Sequence, residues 1–352
     1  MTKFLPSGKN TNVESAGTAA DANSRAHDHR SSPGDRSSAG VIVWGQPLSF
    51  WTRFALVWLM FITLTGAAVR LTGSGLGCTD WPNCTVNTEL DAPGFHSAVE
   101  FGNRVISGLA IIPVIAAWVG GRRQRRDLLT VIYLTVFGFL GQVLLGMAVT
   151  RTELDPRVVL GHFLLSIVLI GLGVMLDYRA RNPRTPGTSR PATTAHELKR
   201  RLLARSMVVS LSTVIIVGTF VTGSGPHTGS EPSGEPIPRL GFDIREISRI
   251  HSILGWVLVT LIVVGMWKAR QPSDQNPWSA LDQKWFGRIG ALALAQGAIG
   301  YLQYGIGVPV GLVALHIAGS ILLWTAVSWY AMVTADPLPD SVQPERTSEL
   351  VS

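Results

Sequence analysis

Charged residues and cysteines are both scarce in this sequence of 352 residues. Only 15% of the chain is Asp, Glu, Lys or Arg, whereas 46% is hydrophobic, and a typical soluble domain carries about 25% charged residues. Two cysteines are too few for a disulfide scaffold. The net charge of +7 does not indicate a nucleic-acid partner, because the basic residues cluster in a few loops. These absences favour a membrane protein over a soluble enzyme or a nucleic-acid-binding protein.

Long stretches without any charge support this interpretation. The stretch from Ile289 to Ala335 contains no Lys, Arg, Asp or Glu, which is enough for two crossings of a hydrocarbon core about 30 Å thick. We therefore predict an all-α polytopic membrane protein with eight transmembrane helices. The second span differs from the others, because Glu100 and Arg104 lie in its first turns. The predicted spans are residues 52–69, 98–119, 128–149, 158–176, 206–222, 248–267, 287–304 and 310–333.

The distribution of Lys and Arg predicts the orientation of the chain in the plasma membrane. One side collects 23 basic residues and the other only seven, and the side richer in basic residues is cytoplasmic. Both termini are then cytoplasmic. We expect residues 1–50 to form a disordered tail, because they are polar and lack an apolar run. Residues 177–205 are expected to form a basic cytoplasmic linker, and residues 334–352 a second cytoplasmic tail.

Both cysteines fall in the first outward-facing loop. Cys78 and Cys84 are separated by five residues, a spacing that suits closure of a small loop, and disulfides persist outside the cytoplasm. The alternative is a pair of free thiols, and the sequence leaves both possibilities open.

The chain repeats itself in two halves, residues 51–176 and 206–333. Gln142 and Gly146 precede His162 by the same distances at which Gln296 and Gly300 precede His316. A Thr-Gly-Ser-Gly stretch follows the first span of each half, beginning at Thr72 and at Thr222. Four spans per half give both halves the same orientation, so we predict two parallel four-helix repeats related by an axis along the membrane normal.

Histidines near the outer ends of three spans are the strongest candidates for function, because ionisable groups inside spans are costly. His162, His251 and His316 lie at similar predicted depths, and His251 and His316 are on two spans of the second half that can face each other. Two imidazoles suit a haem iron, whereas zinc takes three or four protein ligands. The alternative for each histidine is a hydrogen-bonded helix contact. We predict a haem between His251 and His316, with the haem sites toward the outer face.

The first half departs from this symmetry. Asn103 occupies the position that corresponds to His251, so His162 is the only strong ligand there. Glu100 lies one helical turn before Asn103 and can act as a base or stabilise positive charge beside the iron. The alternative for Glu100 is an ion pair with Arg104, four residues later. His96 is a weaker candidate ligand.

Several polar groups of the outer side remain unassigned. We expect His227 to be solvent-exposed, like His196 in the basic linker. Arginines bind haem propionates well, but the sequence does not choose among the candidates near the outer interface, which are Arg70, Arg104, Arg151, Arg157, Arg245 and Arg249.

The first outer loop resembles the haem A synthase family. The resemblance is carried by the stretch from Arg70 to Gly75 (Arg-Leu-Thr-Gly-Ser-Gly), followed by Leu76, Cys78, Asp80-Trp81-Pro82 and Cys84. It extends over roughly residues 50–333, with eight spans in two halves and histidines on even-numbered spans. The tails lie outside it.

The resemblance implies an enzyme that oxidises a ring methyl of haem O to a formyl group, giving haem A for a terminal oxidase. It implies haem b as a cofactor held by His251 and His316, and a substrate haem site with His162, Asn103 and Arg104. Glu100 corresponds to the family's catalytic carboxylate. Asn103 departs from the pattern, because the family usually has histidine there. Expected partners are haem O, the farnesyltransferase that produces it, an unknown electron acceptor and membrane lipid, with no nucleic acid.

Two other functions are alternatives to this one. A di-haem membrane cytochrome that carries electrons from quinol would need four axial histidines, and Asn103 and Glu100 argue against it. A parallel-repeat transporter would place charges and broken helices at the midplane of the membrane. In this sequence the polar residues gather at the outer ends of the spans instead.

Overall fold

The computed structural model of the chain describes residues 42–78, 80–84, 94–183, 195–230, 237–271 and 280–336. Most of the two predicted tails and the middle of the predicted linker therefore lie outside the described residues, as do the side chains of Ala195 and His196. The described part is helical apart from a short hairpin that joins strands β1 (Ile42–Val43) and β2 (Gln46–Pro47).

Nine α-helices follow the hairpin in the described residues. The first half contains α1 (Leu48–Leu71), α2 (Phe95–Gly108), α3 (Ile111–Gln124), α4 (Leu129–Arg151) and α5 (Pro156–Arg181). The second half contains α6 (Ala195–Ser224), α7 (Ile244–Ala269), α8 (Ala280–Gly305) and α9 (Val310–Ala335). Helices α5 and α6 reach into the predicted linker 177–205, so most of that linker's basic residues are helical. Likewise α1 begins before residue 50.

The chain is a multi-pass membrane protein, and the predicted fold class is confirmed. Seven segments are long and apolar enough to cross a membrane, with α2 and α3 counted together as one segment. The remaining helix, α8, is 26 residues long, but its charge-free part begins only at Ile289. Each of the eight predicted spans lies in one of these segments or in α8.

The second span is broken, which was not predicted from the sequence. Pro113 lies in the first turn of α3 and has no backbone N–H, so a continuous helix would leave the Leu109 carbonyl without its usual partner. The chain adopts tighter turns here, in which the Ala110 N–H donates to the Ser107 carbonyl. The indole Nε1 of Trp58 on α1 donates to the Ile106 carbonyl at 3.1 Å. A side chain thus satisfies a backbone group inside the membrane, as the lipid environment requires.

The same set of helix contacts recurs in the two halves. Helix α1 packs on α5 and on the second span, and α6 packs on α9 and α7 in the same way. Helix α4 packs on α3 and α5, and α8 on α7 and α9. The halves meet through α5 and α9, flanked by the equivalent contacts of α1 with α9 and of α5 with α6. The predicted pair of parallel four-helix repeats is therefore present.

Loops of the two halves join at the end of the bundle that carries the cysteines, called here the disulfide face. The Gly75 N–H donates to the Gly229 carbonyl at 2.7 Å, and a Cβ at Gly75 would lie 2.7 Å from that oxygen. The Arg70 guanidinium donates to the carbonyls of His227 and Thr222. His227 is half-buried, and its Nε2 donates to the Val308 carbonyl at 2.9 Å. The expectation that His227 is solvent-exposed is therefore wrong, because this loop packs between the halves.

Buried ion pairs stabilise the opposite end of the bundle. Asp177 is fully buried and accepts hydrogen bonds from Arg53 at 2.6 Å and from Arg181 at 2.9 Å. In the second half, Asp282 on α8 is fully buried and pairs with Arg200 on α6 at 2.8 Å. The Tyr330 hydroxyl donates to the same carboxylate at 3.0 Å. These contacts tie α6, α8 and α9 together.

We expect replacement of Arg200 by alanine to destabilise the second half strongly. The change leaves the buried Asp282 carboxylate without its charge partner, which costs about 3–5 kcal/mol. The measurement is the thermal midpoint of the purified protein in detergent. Arg205→Ala on the same helix removes an exposed arginine and is the control. Equal midpoints for the two variants would show that the buried pair contributes little.

Candidate functional site

The structure brings His251 on α7 and His316 on α9 together inside the second half. Their ring centroids are 6.2 Å apart, with an angle of 67° between the ring planes. Nδ1 of His251 lies 3.0 Å from the Val214 carbonyl on α6. A carbonyl only accepts hydrogen bonds, so Nδ1 carries the proton and Nε2 has a free lone pair. This is the tautomer that a metal-binding histidine needs.

The spacing of the two rings fits one metal ion between them. An imidazole nitrogen lies about 1 Å from its ring centroid and about 2 Å from a metal that it binds. Two rings on opposite sides of one metal therefore have centroids about 6 Å apart, and the observed distance is 6.2 Å. Among the described residues, no group of three or more His, Cys, Asp or Glu side chains could hold a metal ion. The pair suits a metal whose other ligands come from a ring such as a porphyrin.

Each of the three histidines packs against a glycine on a neighbouring helix. A Cβ at Gly218 would lie 3.0 Å from Cε1 of His251, and a Cβ at Gly300 would lie 3.3 Å from Cε1 of His316. The corresponding distance from Gly146 to His162 is 3.5 Å. Larger side chains at these positions would push the rings out of place. The glycines thus fix the orientation of the imidazoles.

Within the described residues, buried polar atoms without partners occur at equivalent positions in both halves. They are Nδ1 of His162 and His316 and Oε1 of Gln142 and Gln296. Nε2 of Gln142 is engaged, because it donates to the Ser166 hydroxyl at 2.6 Å and to the His162 carbonyl. Buried polar groups are rarely left unpaired, and such exceptions indicate a bound water, ion or ligand. Both halves therefore have the character of a ligand site.

In the first half, Asn103 on α2 occupies the place that His251 occupies in the second. Its Oδ1 lies 2.8 Å from the Thr65 hydroxyl on α1, much as His251 contacts the Val214 carbonyl on α6. His162 on α5 corresponds to His316 on α9. The half thus offers one imidazole and one amide where the other half offers two imidazoles.

Glu100 is buried on α2, and both of its carboxylate oxygens are engaged. Oε1 accepts from Arg104 at 2.5 Å, and Oε2 accepts from the Cys78 backbone N–H at 2.8 Å. Arg104 also donates to the carbonyls of Asp80 and Asn83, at 2.7 Å each. The ion pair weighed as an alternative is therefore present, and it also anchors the cysteine loop. Each carboxylate oxygen can accept a further hydrogen bond, so these contacts leave capacity for a substrate.

The cysteines form a disulfide, Cys78–Cys84, which decides between the two alternatives that the sequence left open. Its loop lies directly over Glu100. Gly77 contacts the backbone of His96 so closely that a Cβ there would overlap it. The disulfide and Glu100 are thus parts of one packed unit.

A family model described as cytochrome oxidase assembly protein matches residues 49–93 and 86–328, most of the chain. The chain belongs to this family of cytochrome oxidase assembly proteins.

Curated relatives carry the name haem A synthase, which confirms the predicted family. The chain is 30% identical to a haem A synthase of Geobacillus thermodenitrificans over 138 residues, which are 38% of this chain and 43% of the relative. It is 26% identical to a haem A synthase of Exiguobacterium sibiricum over 222 residues, 60% of this chain and 71% of the relative. It is also 39% identical to a protoheme IX farnesyltransferase of Thermus thermophilus over 80 residues, 21% of this chain and 13% of the relative. The first and last of these matches span less than two thirds of the relative.

The other candidate ligand and several of the candidate arginines form hydrogen bonds or ion pairs within the loops of this family member. The Nδ1 atom of His96 lies 2.9 Å from the Ser74 hydroxyl, so His96 takes part in loop packing. Arg157 pairs with Asp155 at 2.7 Å, and this contact lowers the pKa of Asp155 to about 2. Arg70 and Arg104 are occupied by the contacts described above.

The remaining propionate candidates are exposed arginines at the disulfide face. Within the part of the chain that the structure describes, Arg151, Arg245 and Arg249 make no ion pair. Arg245 and Arg249 share α7 with His251.

Two features of the site were not predicted from the sequence. Gly218 had no counterpart in the repeat, because the corresponding residue of α1 is Ala68. Gly146 and Gly300 were recognised as repeated positions, but their contact with the histidines was not. The number of residues from glycine to histidine along the sequence is the same in both halves, and this is the signal that could have identified the contact.

Proposed function

We propose that this protein is a haem A synthase, which oxidises a ring methyl of haem O to a formyl group. The observation that carries the proposal is the asymmetry of the repeat. One half offers two imidazoles at the separation that a single metal requires, and the other offers one imidazole beside a buried carboxylate. A resident cofactor needs the first arrangement, and a substrate that must leave suits the second.

In this proposal His251 and His316 hold haem b. The haem supplies one-electron transfer when it is bound. His251 binds in the tautomer set by the Val214 carbonyl. Gly218 and Gly300 leave room for the rings, and Arg245 and Arg249 are candidates for binding the propionates.

The first half receives haem O, with His162 as the ligand on α5. Glu100 lies one turn from Asn103 and is the catalytic carboxylate, either accepting a proton or stabilising positive charge at the ring methyl. Arg104 and the Cys78 N–H fix both oxygens of that carboxylate. Their role is to hold Glu100 in a single orientation, because a base is effective only when it is positioned.

The disulfide face is the outer face in this proposal, and both termini are cytoplasmic, as the distribution of basic residues indicates. The electron acceptor and the oxygen source lie outside the chain. The farnesyltransferase that produces haem O is a candidate partner, since a relative with that name shares sequence with this chain.

Haem stoichiometry separates this function from the rival electron-transfer cytochrome. Protein purified from cells that cannot make haem O is expected to contain one haem b per chain, which His251 and His316 would hold. The measurement is haem content per chain combined with the low-spin spectrum of the bound haem. Two such haems per chain, reducible by quinol, would favour the cytochrome instead.

We expect Asn103→His to slow product formation. A histidine at this position would give the first half a second imidazole beside His162, as in the second half, which would tighten haem binding and slow release. The expected result is a low-spin spectrum of bound substrate haem with turnover reduced roughly tenfold. An unchanged turnover and spectrum would contradict the proposed role of the asymmetry.

A further inference from the structure

Aromatic side chains form a stripe along α1 on the face that also carries Thr65. Phe54, Trp58 and Phe61 follow one another at intervals of four and three residues, and Thr65 comes four residues later. Such spacing places all four on one side of a helix. The rings are in contact, with centroid distances of 5.4 Å from Phe54 to Trp58 and 5.7 Å from Trp58 to Phe61. We call Phe54, Trp58 and Phe61 the aromatic stripe.

The position of the stripe in the membrane is not that of an interfacial belt. Tryptophans are enriched at the two membrane–water interfaces. Trp58 and Phe61 lie ten and thirteen residues into α1, or about 15 and 20 Å from its start. That is well inside a hydrocarbon core about 30 Å thick. Anchoring at the interface therefore does not account for Trp58 and Phe61, and the hydrogen bond to Ile106 accounts only for the indole N–H of Trp58.

The stripe leads away from the proposed substrate site. Thr65, one helical turn beyond Phe61 on α1, donates to Oδ1 of Asn103 at 2.8 Å. One turn further along α2, the Ile106 carbonyl receives the Trp58 indole N–H at the break in the second span. The stripe thus runs from Asn103 along the seam between α1 and the second span.

This seam is open to lipid. Phe61 is 45% exposed, and on the second span Val105 is 48% and Leu109 45% exposed. An apolar molecule that reaches the Asn103 site from the bilayer can therefore contact the stripe without any rearrangement of the helices.

Of the two equivalent helices, α1 has such a stripe and its counterpart α6 does not. Residues 201–219 of α6 include no Phe, Trp or Tyr. In the proposed function the first half binds haem O, which carries a farnesyl tail, and the second half binds haem b, which has none. The difference between the halves thus coincides with the difference between their ligands.

We infer that the aromatic stripe of α1 is the binding surface for the isoprenoid tail of the substrate haem. The inference rests on the proposed function, because it takes a farnesylated haem as the substrate. The tail extends from the porphyrin at Asn103 past Phe61 and Trp58 toward Phe54. The stripe then selects haem O over haem b at this site by burying the tail against the rings.

The test compares the affinities of haem O and haem b for the first half of the full chain. The second-half site is filled with haem b beforehand, and each haem is then titrated while its absorption spectrum is followed. Phe61→Ala is expected to weaken haem O roughly tenfold, because a buried phenylalanine contact is lost, and to leave haem b unchanged. Phe61→Leu keeps apolar bulk and should restore most of the affinity.

Phe137→Ala is the matched control, because Phe137 on α4 is 66% exposed to lipid and lies outside the stripe. The inference is overturned if the wild type does not prefer haem O over haem b. It is also overturned if Phe61→Ala weakens both haems equally or acts no differently from Phe137→Ala.

The outcomes also separate this inference from the proposed function. If the wild type produces formyl haem and Phe61→Ala keeps the same preference for haem O, the proposed function stands and the role of the stripe is rejected. A preference for haem O that depends on Phe61, without any product, would leave the stripe intact and reject the synthase.

Discussion

Replacement of His316 by alanine is expected to remove haem b from the purified protein. His316 and His251 are at the separation that one metal ion requires, so loss of either imidazole leaves a single protein ligand. We expect haem content per chain to fall at least roughly tenfold, since even residues that only orient a metal ligand alter affinity by 10- to 100-fold. His251→Ala should have the same effect. His162→Ala should leave haem b in place, because His162 belongs to the other half.

Two glycines of α8 provide a control for indirect damage. A side chain at Gly300 would press on the His316 ring, whereas a Cβ added at Gly297, one turn earlier, would meet no described atom within 4 Å. Gly300→Leu should therefore lower haem content, and Gly297→Leu should not. Haem retained at full occupancy in His316→Ala would show that the pair is a helix contact rather than a ligand set.

Glu100→Gln is expected to abolish conversion of haem O while the protein keeps its fold. General acid–base catalysis contributes about 10²–10⁴-fold to rates, and glutamine has neither the charge nor the basicity of the carboxylate. Its amide oxygen can still accept one hydrogen bond from Arg104 or from the Cys78 N–H. The measurement is the rate of formyl haem formation, with bound haem b quantified in the same sample.

Because Glu100 also anchors the cysteine loop, control variants must separate loss of catalysis from loss of structure. Glu100→Ala removes both acceptors of the cysteine loop, so it should lower the thermal midpoint more than Glu100→Gln does. Arg104→Lys keeps a positive charge but loses the guanidinium group that donates to the carbonyls of Asp80 and Asn83. If Glu100→Gln retains full turnover, the carboxylate serves only to anchor the loop.

The fold was largely predictable because lipid imposes strong constraints on a sequence. Uncharged runs identified the spans, and the repeated distances ending at His162 and His316 identified the two halves. The break in the second span was missed, although Pro113 and Gly108 lie on either side of it. Periodicity in a uniformly apolar stretch says little about a local break, since every face of the helix is apolar.

The contacts of the site were less predictable than its residues. The pairing of His251 with His316 was predicted from their similar depth on two spans of one half and from the repeat. The engagement of both Glu100 oxygens depends on how the cysteine loop folds back over α2, which no local pattern encodes. His227 was expected to be exposed because its loop is rich in Gly, Ser and Pro, yet it packs between the halves. Such contacts between distant segments arise only when the two repeats are assembled.

Departure from symmetry is the most informative property of this duplicated chain. Asn103 in place of a histidine, Glu100 beside it and the aromatic stripe of α1 all belong to the first half. Gly218 and the second imidazole belong to the other. In our account these differences convert one ancestral site into two, one that retains its haem and one that binds and releases it.

The most direct test of this account is the conversion of haem O by the purified protein. Protein from cells without haem O is mixed with haem O and a reductant system in air, and the extracted haems are separated by chromatography and identified by mass. The account predicts that a formyl haem accumulates while the amount of haem b stays constant. Haem O that remains unaltered in protein carrying its full haem b would contradict the account and favour an electron-transfer cytochrome.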